Sequence, residues 1–494
     1  MSDIQPESKS YRSDATSGTR WGAVRSIALQ VTSILTTAVL ARILSDVDFG
    51  LVAVTVIVIT MFDLITRVGF GASVIRRDDP SDRSNSTFFW ASITLGLIAG
   101  ALAALVARPA ATLAGSVEAA PLIVLATATL PINLAAHTPS GLLAREFRYR
   151  TMAMIDMSSS FVHAVTAISL ALVGFGAWAV VIGQVLRSLT FLAGSVFASG
   201  FRPRAMFDRA ILKKELSFNA GFLGADFVTY TNKNADYWFV GNRLGTAQLG
   251  VYYVAYVLPT LLRRRVTAIG HDIMFPIVSR IKDDRARIAS AYLRVVGLVS
   301  FIVVPVLLGL AVLADLAILI GFGSEWLDAI APLRVFSVAA AVTSITVIAN
   351  AIFPALGRPG VLVTVGLIAL IALGIGLAFS FEEGTLTSIS LAVLGAAVVG
   401  SVLTQFQVRS FLNVSFGAFF RAVAPFVIAA VVMAGAIWAL RATLIGNAGP
   451  LAQALIAVPV GAGIYLLIGR VVFWASFQEQ LAAMRALLSR GGSV

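Results

Sequence analysis

The residues in this sequence best able to do chemistry are charges set inside apolar runs. Arg25, Asp63, Arg67, Arg187, Asp226, Lys233, Asp236, Arg263, Arg264, Arg265, His271 and Asp272 all lie in or beside stretches dominated by Val, Ile, Leu, Ala and Phe. A charged side chain facing lipid at a helix centre costs roughly 2.5 to 3.5 kcal/mol on insertion scales, so most of these residues must turn toward protein or a water-filled cavity. Asp63 and Arg67 have the four-residue spacing of a helical ion pair. Asp226, Lys233 and Asp236 recur on one face of a single helix. Positive charge is densest in Leu261 to Val266, LLRRRV. Counting about 1.5 Å per residue from Gly250 puts these arginines near 20 Å into a span, past its middle. Successive residues point about 100° apart, so no single face takes all three. The alternative is that the span ends at Arg263 and the arginines cap it on the cytoplasmic side, which leaves the mostly apolar run Thr267 to Val278 outside the bilayer. The candidate binding set is Arg25, Asp63, Arg67, Asp226, Lys233, Asp236, Arg263, Arg264, Arg265 and His271, and its excess of cations suits an anionic ligand.

Catalysis is not indicated. The chain has no cysteine, and His137, His163 and His271 are scattered without metal-ligand spacing, so no metal or other cofactor is expected. Gly357 to Gly360 (GRPG) and Gly69 to Gly71 (GFG) lack the spacing and lysine of a phosphate loop.

The elements that must hold the charges are membrane spans. Of 494 residues, 58% are hydrophobic and 13% charged, against about 25% charged in soluble chains. Apolar runs of roughly 17 to 25 residues, the length that crosses a bilayer, begin near Gly22, Gly50, Thr87, Pro121, Thr151, Ala177, Ser217, Ala247, Ala291, Ala329, Val361, Thr385, Ala418 and Leu451. An all-α polytopic membrane protein of about fourteen transmembrane helices is therefore expected. The net charge of +12 sits in alternate loops rather than in a stripe, which reads as a topology signal and not as a nucleic-acid surface. Arg76, Arg77 and Arg83, Arg145 to Arg150, and Arg202 to Lys214 mark cytoplasmic loops, and both termini fall on that side.

One pattern occurs twice. Leu44, Phe49-Gly50 and Val54 precede the run bearing Asp63 and Arg67, and Leu244, Leu249-Gly250 and Val254 precede the run bearing Arg263 to Arg265. Six spans per half is an even number, so the halves share one orientation and relate by a pseudo-two-fold axis along the membrane normal. The expected parts are a tail (1–20), an N-lobe (21–200), a cytoplasmic inter-lobe loop (201–215), a C-lobe (216–412), helices 13 and 14 (413–475), and a cytoplasmic amphipathic helix and tail (476–494). In that last part Phe477, Leu481, Met484 and Leu488 share a face, which suits a membrane surface.

These residues carry a family resemblance. LARILSDVDFGLVAV with FDLITRVGFGASVIRR, then LLAREFRYR, GFGAWAVVIGQ, NADYWFVGNRLGTAQLGVYYVAY, FPIVSRIKDD and FGSEW, between Trp21 and Arg409, resemble in type and order the polysaccharide-transport (Wzx-type) flippases of the multidrug/oligosaccharidyl-lipid/polysaccharide exporter superfamily. The resemblance implies two six-helix lobes around a central cavity, two extra C-terminal helices, and export of undecaprenyl-pyrophosphate-linked oligosaccharide across the plasma membrane by alternating access. A non-enzyme is expected, working with membrane lipids and alongside polysaccharide polymerase and chain-length machinery; Asp226, Asp236 and His271 could bind H⁺ or Na⁺ and reset the empty carrier, or the membrane potential alone could drive export. Arginines suit the diphosphate of such a substrate. Asn219, Tyr230, Asn232, Asn234, Tyr237, Gln184 and Asn350 could meet sugars, or simply hydrogen-bond between helices. Two other readings compete. A cation-coupled multidrug exporter of the same superfamily should carry an acidic site, and a membrane glycan polymerase or ligase needs an outer loop longer than the roughly 15 residues that spans of bilayer length leave here.

Overall fold

Hydrocarbon offers no partner for a free backbone N–H or C=O, and the chain answers by folding almost wholly into helices. The computed structural model describes residues 6–66, 81–209, 212, 223–281, 284–358 and 360–490. Every regular element among them is helical. In order these are α1 (Pro6–Ala41), α2 (Asp46–Thr66), α3 (Asp82–Leu113), α4 (Ala120–Ala126), α5 (Thr129–Arg145), α6 (Tyr149–Leu172), α7 (Ala177–Ser199) and α8 (Leu223–Arg280). There follow α9 (Arg285–Val312), α10 (Ala314–Gly321), α11 (Ile330–Thr346), α12 (Ala349–Ala355), α13 (Gly360–Glu383), α14 (Leu386–Leu412), α15 (Phe416–Leu440), α16 (Pro450–Val471) and α17 (Trp474–Arg490).

Twelve stretches among the described residues are long and apolar enough to cross a membrane, which makes this an all-α polytopic membrane protein. The seventh and eighth spans of the sequence reading both fall in α8. Neither arm is among the twelve, and Gly245 (φ 86°, ψ 175°) breaks the helix between them. The second arm stays helical through Arg263, Arg264 and Arg265 to Arg280, so the helix does not end at the arginines.

The chain forms two compact units: residues 1–230, 241–250 and 488–494, and residues 231–240 and 251–487. In the first unit α1 packs on α6, α6 on α7, α7 on α5, and α5 on α3. Small residues permit this closeness. Ala99, Ala103, Ala107 and Ala111 line one face of α3 at 0–2% exposure, and a Cβ on Gly96 of the same helix would lie 2.5 Å from the Pro131 backbone. Such stripes let helices approach where no hydrophobic drive exists between them.

The repeated pattern marks a crossing inside the first unit. A Cβ on Gly50 would sit 1.9 Å from the Thr246 carbonyl oxygen, and one on Gly250 would sit 1.9 Å from that of Asp46. Each oxygen lies one helical turn before the partner glycine, so the contact is reciprocal. Leu44, Phe49, Leu249 and Val254 around the two glycines are buried. A second reciprocal pair lies alongside: a Cβ on Gly115 would be 2.4 Å from the Gly241 oxygen, and one on Gly241 would be 2.5 Å from the Ala114 oxygen. Ser116 and Thr246 share a hydrogen bond of 2.7 Å, and Asn242 Nδ2 donates to the Leu113 oxygen at 3.0 Å. The acidic turn before Gly50 has its own task. Asp48 takes the Ser45 hydroxyl on Oδ2 at 2.8 Å and the Ala177 N–H on Oδ1 at 2.9 Å, so one carboxylate caps α2 and also the start of α7. Gly176 (φ 53°) makes room, since a Cβ there would approach Asp48 Oδ1 to 2.6 Å.

The second unit is built on α9, which packs against both α11 and α15, while α13 pairs with α14. Its far corner is stapled by Arg441, whose Nη1 and Nη2 donate to the two Asp315 oxygens at 2.9 and 2.5 Å, whose Nη1 also reaches the Val312 oxygen, and whose Nε reaches Gln453. The C-terminal helix departs from the sequence reading. Phe477, at 1% exposure, lies among Phe301, Phe426 and Tyr465, with Leu481 and Met484 against the same cluster. A Cβ on Gly469 would clash with the Phe477 ring. Phe477, Leu481 and Met484 of this face of α17 are therefore spent on protein, and the Leu488 side chain lies outside the description.

Two outcomes follow. Gly250→Ala drives a methyl group into a backbone oxygen and should cost about 1 to 3 kcal/mol or more, as overpacking does. Gly463→Ala, where nothing lies within 4 Å, should be neutral or gain up to about 1 kcal/mol from helix propensity. Thermal unfolding of both variants in detergent checks the contrast. Burial alone would push the Asp315 carboxyl up, but the hydrogen bonds and charge of Arg441 hold it below the ordinary carboxylate range. Its contribution is present above about pH 4, the unfolded value, and is lost as pH falls through the lowered one. Thermal midpoints measured from pH 7 down to pH 3 should fall in the wild type and fall less in Asp315→Asn, which begins lower.

Candidate functional site

Two of the candidate charges, Arg25 and Asp236, fall in polar sites, one in each unit. In the first unit, Arg25 on α1 meets Asp156 on α6, with Nη2 to Oδ2 at 2.5 Å and side-chain exposures of 37% and 11%. Asp156 stands across its helix from the exposed stripe Met154, Phe161 and Val165. Arg187, half-buried on α7, interacts electrostatically with the same carboxylate. His163, two turns along α6 from Asp156, interacts with Arg187 in its turn and abuts Gly183, where a Cβ would lie 2.9 Å from Nδ1. Two guanidinium groups thus share one carboxylate.

In the second unit Asp236 is 2% exposed. Tyr252, itself fully buried, donates its hydroxyl to Oδ2 at 2.7 Å, while Oδ1 has no hydrogen-bond partner. Around them the Tyr237 ring stands edge-on to Tyr252 at 5.3 Å and to Tyr256 at 5.5 Å, and Phe336 contacts Tyr252 and Tyr256 at 5.0 and 5.1 Å. This is a carboxyl group in an aromatic cage, a setting that favours a bound proton or small cation over a bare charge.

The other predicted residues are distributed as follows. Asp63 belongs to the first unit and interacts electrostatically with His137. Its expected partner Arg67 lies outside the described residues, as does Asn219. Lys233 is exposed and Arg263 half-buried, both on α8 in the second unit. Asp226, Arg264, Arg265 and His271 lie on α8 with side chains outside the description. Among the neutral residues, Tyr230 donates to the Ile57 oxygen at 2.9 Å and Asn232 to the Gly366 oxygen at 2.5 Å, so these two join helices. Sequence reading passed over Asp156. Its partner is on a distant helix, and no spacing rule links them. An acid inside the apolar run Tyr149 to Leu172 was the available signal.

The fold is shared with solved membrane proteins. It resembles the inward closed conformation of the lipid II flippase MurJ with a TM-score of 0.74 at 14% identity, over 92% of this chain and 98% of that one. It also resembles an inward-facing multidrug resistance MATE family transporter of the MOP superfamily with a TM-score of 0.56 at 16% identity, over 81% and 96%. The chain belongs to the polysaccharide biosynthesis protein family, which matches residues 39–331, more than half of its length. Among its relatives are the succinoglycan biosynthesis transport protein ExoT of Rhizobium meliloti (strain 1021), 28% identical over 59% of this chain, and the teichuronic acid biosynthesis protein TuaB of Bacillus subtilis (strain 168), 25% identical over 81%. The lipopolysaccharide biosynthesis protein WzxC of Escherichia coli (strain K12) is 24% identical over 68%. The matches span 59%, 80% and 69% of those three proteins.

Removing the Tyr252 hydroxyl takes away the side-chain hydrogen bond that the buried Asp236 carboxylate receives. Tyr252→Phe should therefore destabilise the protein by about 1 to 3 kcal/mol. Asp236→Asn combined with it should cost less than the two single changes added together. Thermal unfolding of the two single variants and the double variant measures that coupling.

Proposed function

We propose that the protein is a flippase for lipid-linked oligosaccharide, carrying undecaprenyl-diphosphate-linked units across the plasma membrane for extracellular polysaccharide synthesis. The observation that carries this reading is the excess of guanidinium over carboxylate at a polar site built among bilayer-length helices, in a chain of the polysaccharide biosynthesis family. A transport protein named for succinoglycan biosynthesis, and others named for teichuronic acid and lipopolysaccharide biosynthesis, support the substrate class. The chain acts as a carrier and makes or breaks no bond.

The cations assigned to the diphosphate are Arg25 and Arg67 in the N-terminal half and Lys233, Arg263, Arg264 and Arg265 in the C-terminal half, with Asp63, Asp226 and His271 as the other candidate groups. Basic residues alternate between loops, which supports cytoplasmic termini. A headgroup with two negative charges gains about 2.3 kcal/mol per charge per 100 mV when it moves outward from a negative interior. The cage around Asp236 supports a second contribution, a proton or Na⁺ that resets the empty carrier. The flipped units pass to polysaccharide polymerase and chain-length machinery on the outer side.

Deleting the gene should abolish polymer and leave lipid-linked sugar intermediates on the cytoplasmic leaflet. Complementation with Arg25→Gln, Lys233→Gln or Arg263→Gln, at equal protein level, should lower polymer output by about tenfold or more, the scale of one lost charge-assisted contact. Normal output from all three would remove the role assigned to these cations.

A further inference from the structure

Arg187 is the feature that the helix packing does not explain. It is half-buried on α7, and among the described residues its recorded partner is the electrostatic attraction of Asp156, with no hydrogen bond to any of its five donors. A guanidinium held in an apolar bundle needs acceptors, and the one nearby carboxylate is already engaged by Arg25 at 2.5 Å. The groups facing Asp156 are Arg25 from α1 and Arg187 from α7, with His163 farther along its own helix. Two fixed positive charges therefore stand against one negative charge. Arg25 is also more than a third exposed, so part of its donor fork remains open.

We propose that Arg25 and Arg187 form an anion subsite for a phosphate or diphosphate ester, and that Asp156 is its built-in competitor. In the empty protein the carboxylate holds Arg25 and attracts Arg187 without a hydrogen bond to it. An arriving diphosphate, with more oxygens and more charge, takes Arg187's unused donors and displaces Asp156 from Arg25. When the ligand leaves, Asp156 closes on the arginines again and shields the bundle from two uncompensated cations. The carboxylate thus makes binding weaker than two arginines alone would give, and release correspondingly easier. Substrates with a single uncharged headgroup have nothing to exchange for Asp156 and are refused. This subsite deepens the flippase reading and rests on it.

The test is binding by the full-length protein in nanodiscs of two probes, a short-chain polyisoprenyl diphosphate and inorganic pyrophosphate. The wild type should bind the lipid probe, and a lipid-specific site binds it more tightly than free pyrophosphate. Equal affinity for both would assign the site to free diphosphate instead. Arg187→Gln, which removes no hydrogen bond of the empty protein, should keep its thermal midpoint and lose affinity about tenfold, the scale of a charge-assisted contact. Asp156→Asn should bind about tenfold more tightly and release the probe more slowly, because its competitor is gone. Unchanged or weaker binding by Asp156→Asn with the thermal midpoint retained, or unchanged binding by Arg187→Gln, would overturn the inference while leaving the flippase reading intact. If Asp156→Asn does not fold, the Arg187→Gln result decides. Failure of the wild type to bind either probe would overturn the functional reading and this one with it.

Discussion

The architecture depends on a place where two backbones come closer than any side chain permits. At Gly50 and Gly250 a single added carbon would fall 1.9 Å from a carbonyl oxygen on the other segment, in both directions. Contacts of this kind are made by Cα–H groups against carbonyls and have little energy apiece. Their value lies in geometry, because within the first unit they fix the start of α2 and residues 246–250 against each other. Gly115 and Gly241 repeat the device beside them. Gly245, free of neighbours, supplies the left-handed break that turns α8 into the crossing. The turn at 241–250 thereby groups with the first unit while the chain on either side of it belongs to the second.

That crossing was legible in the sequence as a repeat, though its reason was not. Leu44 and Leu244, Gly50 and Gly250, and Val54 and Val254 recur at matching intervals because they meet the same steric demand from opposite sides. Helix number and class were legible from hydropathy for a related reason: bilayer thickness fixes the length of every span. Pairing of charges was not legible. Spacing rules see only partners on one helix. The fold gives Asp236 to Tyr252 and gives Arg25 to Asp156, an acid the sequence reading did not select. The face of α17 misled for another reason. An apolar stripe signals that something covers it, and Phe477 is covered by Phe301, Phe426 and Tyr465, which pattern alone does not distinguish from lipid.

The two polar sites use the same apolar medium in opposite ways. Around Asp236 the walls are rings, and among the described residues the side-chain hydrogen bond it receives comes from a neutral hydroxyl. Around Asp156 the walls bring two guanidinium groups, and the carboxylate is outnumbered. A low-dielectric interior magnifies both imbalances. An outnumbered carboxylate leaves a standing attraction for anions. A caged carboxylate with one oxygen unpartnered leaves a standing attraction for a proton or small cation. In a carrier these are complementary requirements, since the site that takes an anionic headgroup must also be emptied of it. A second site with the opposite appetite, in the other compact unit, gives the empty protein a way to change its charge.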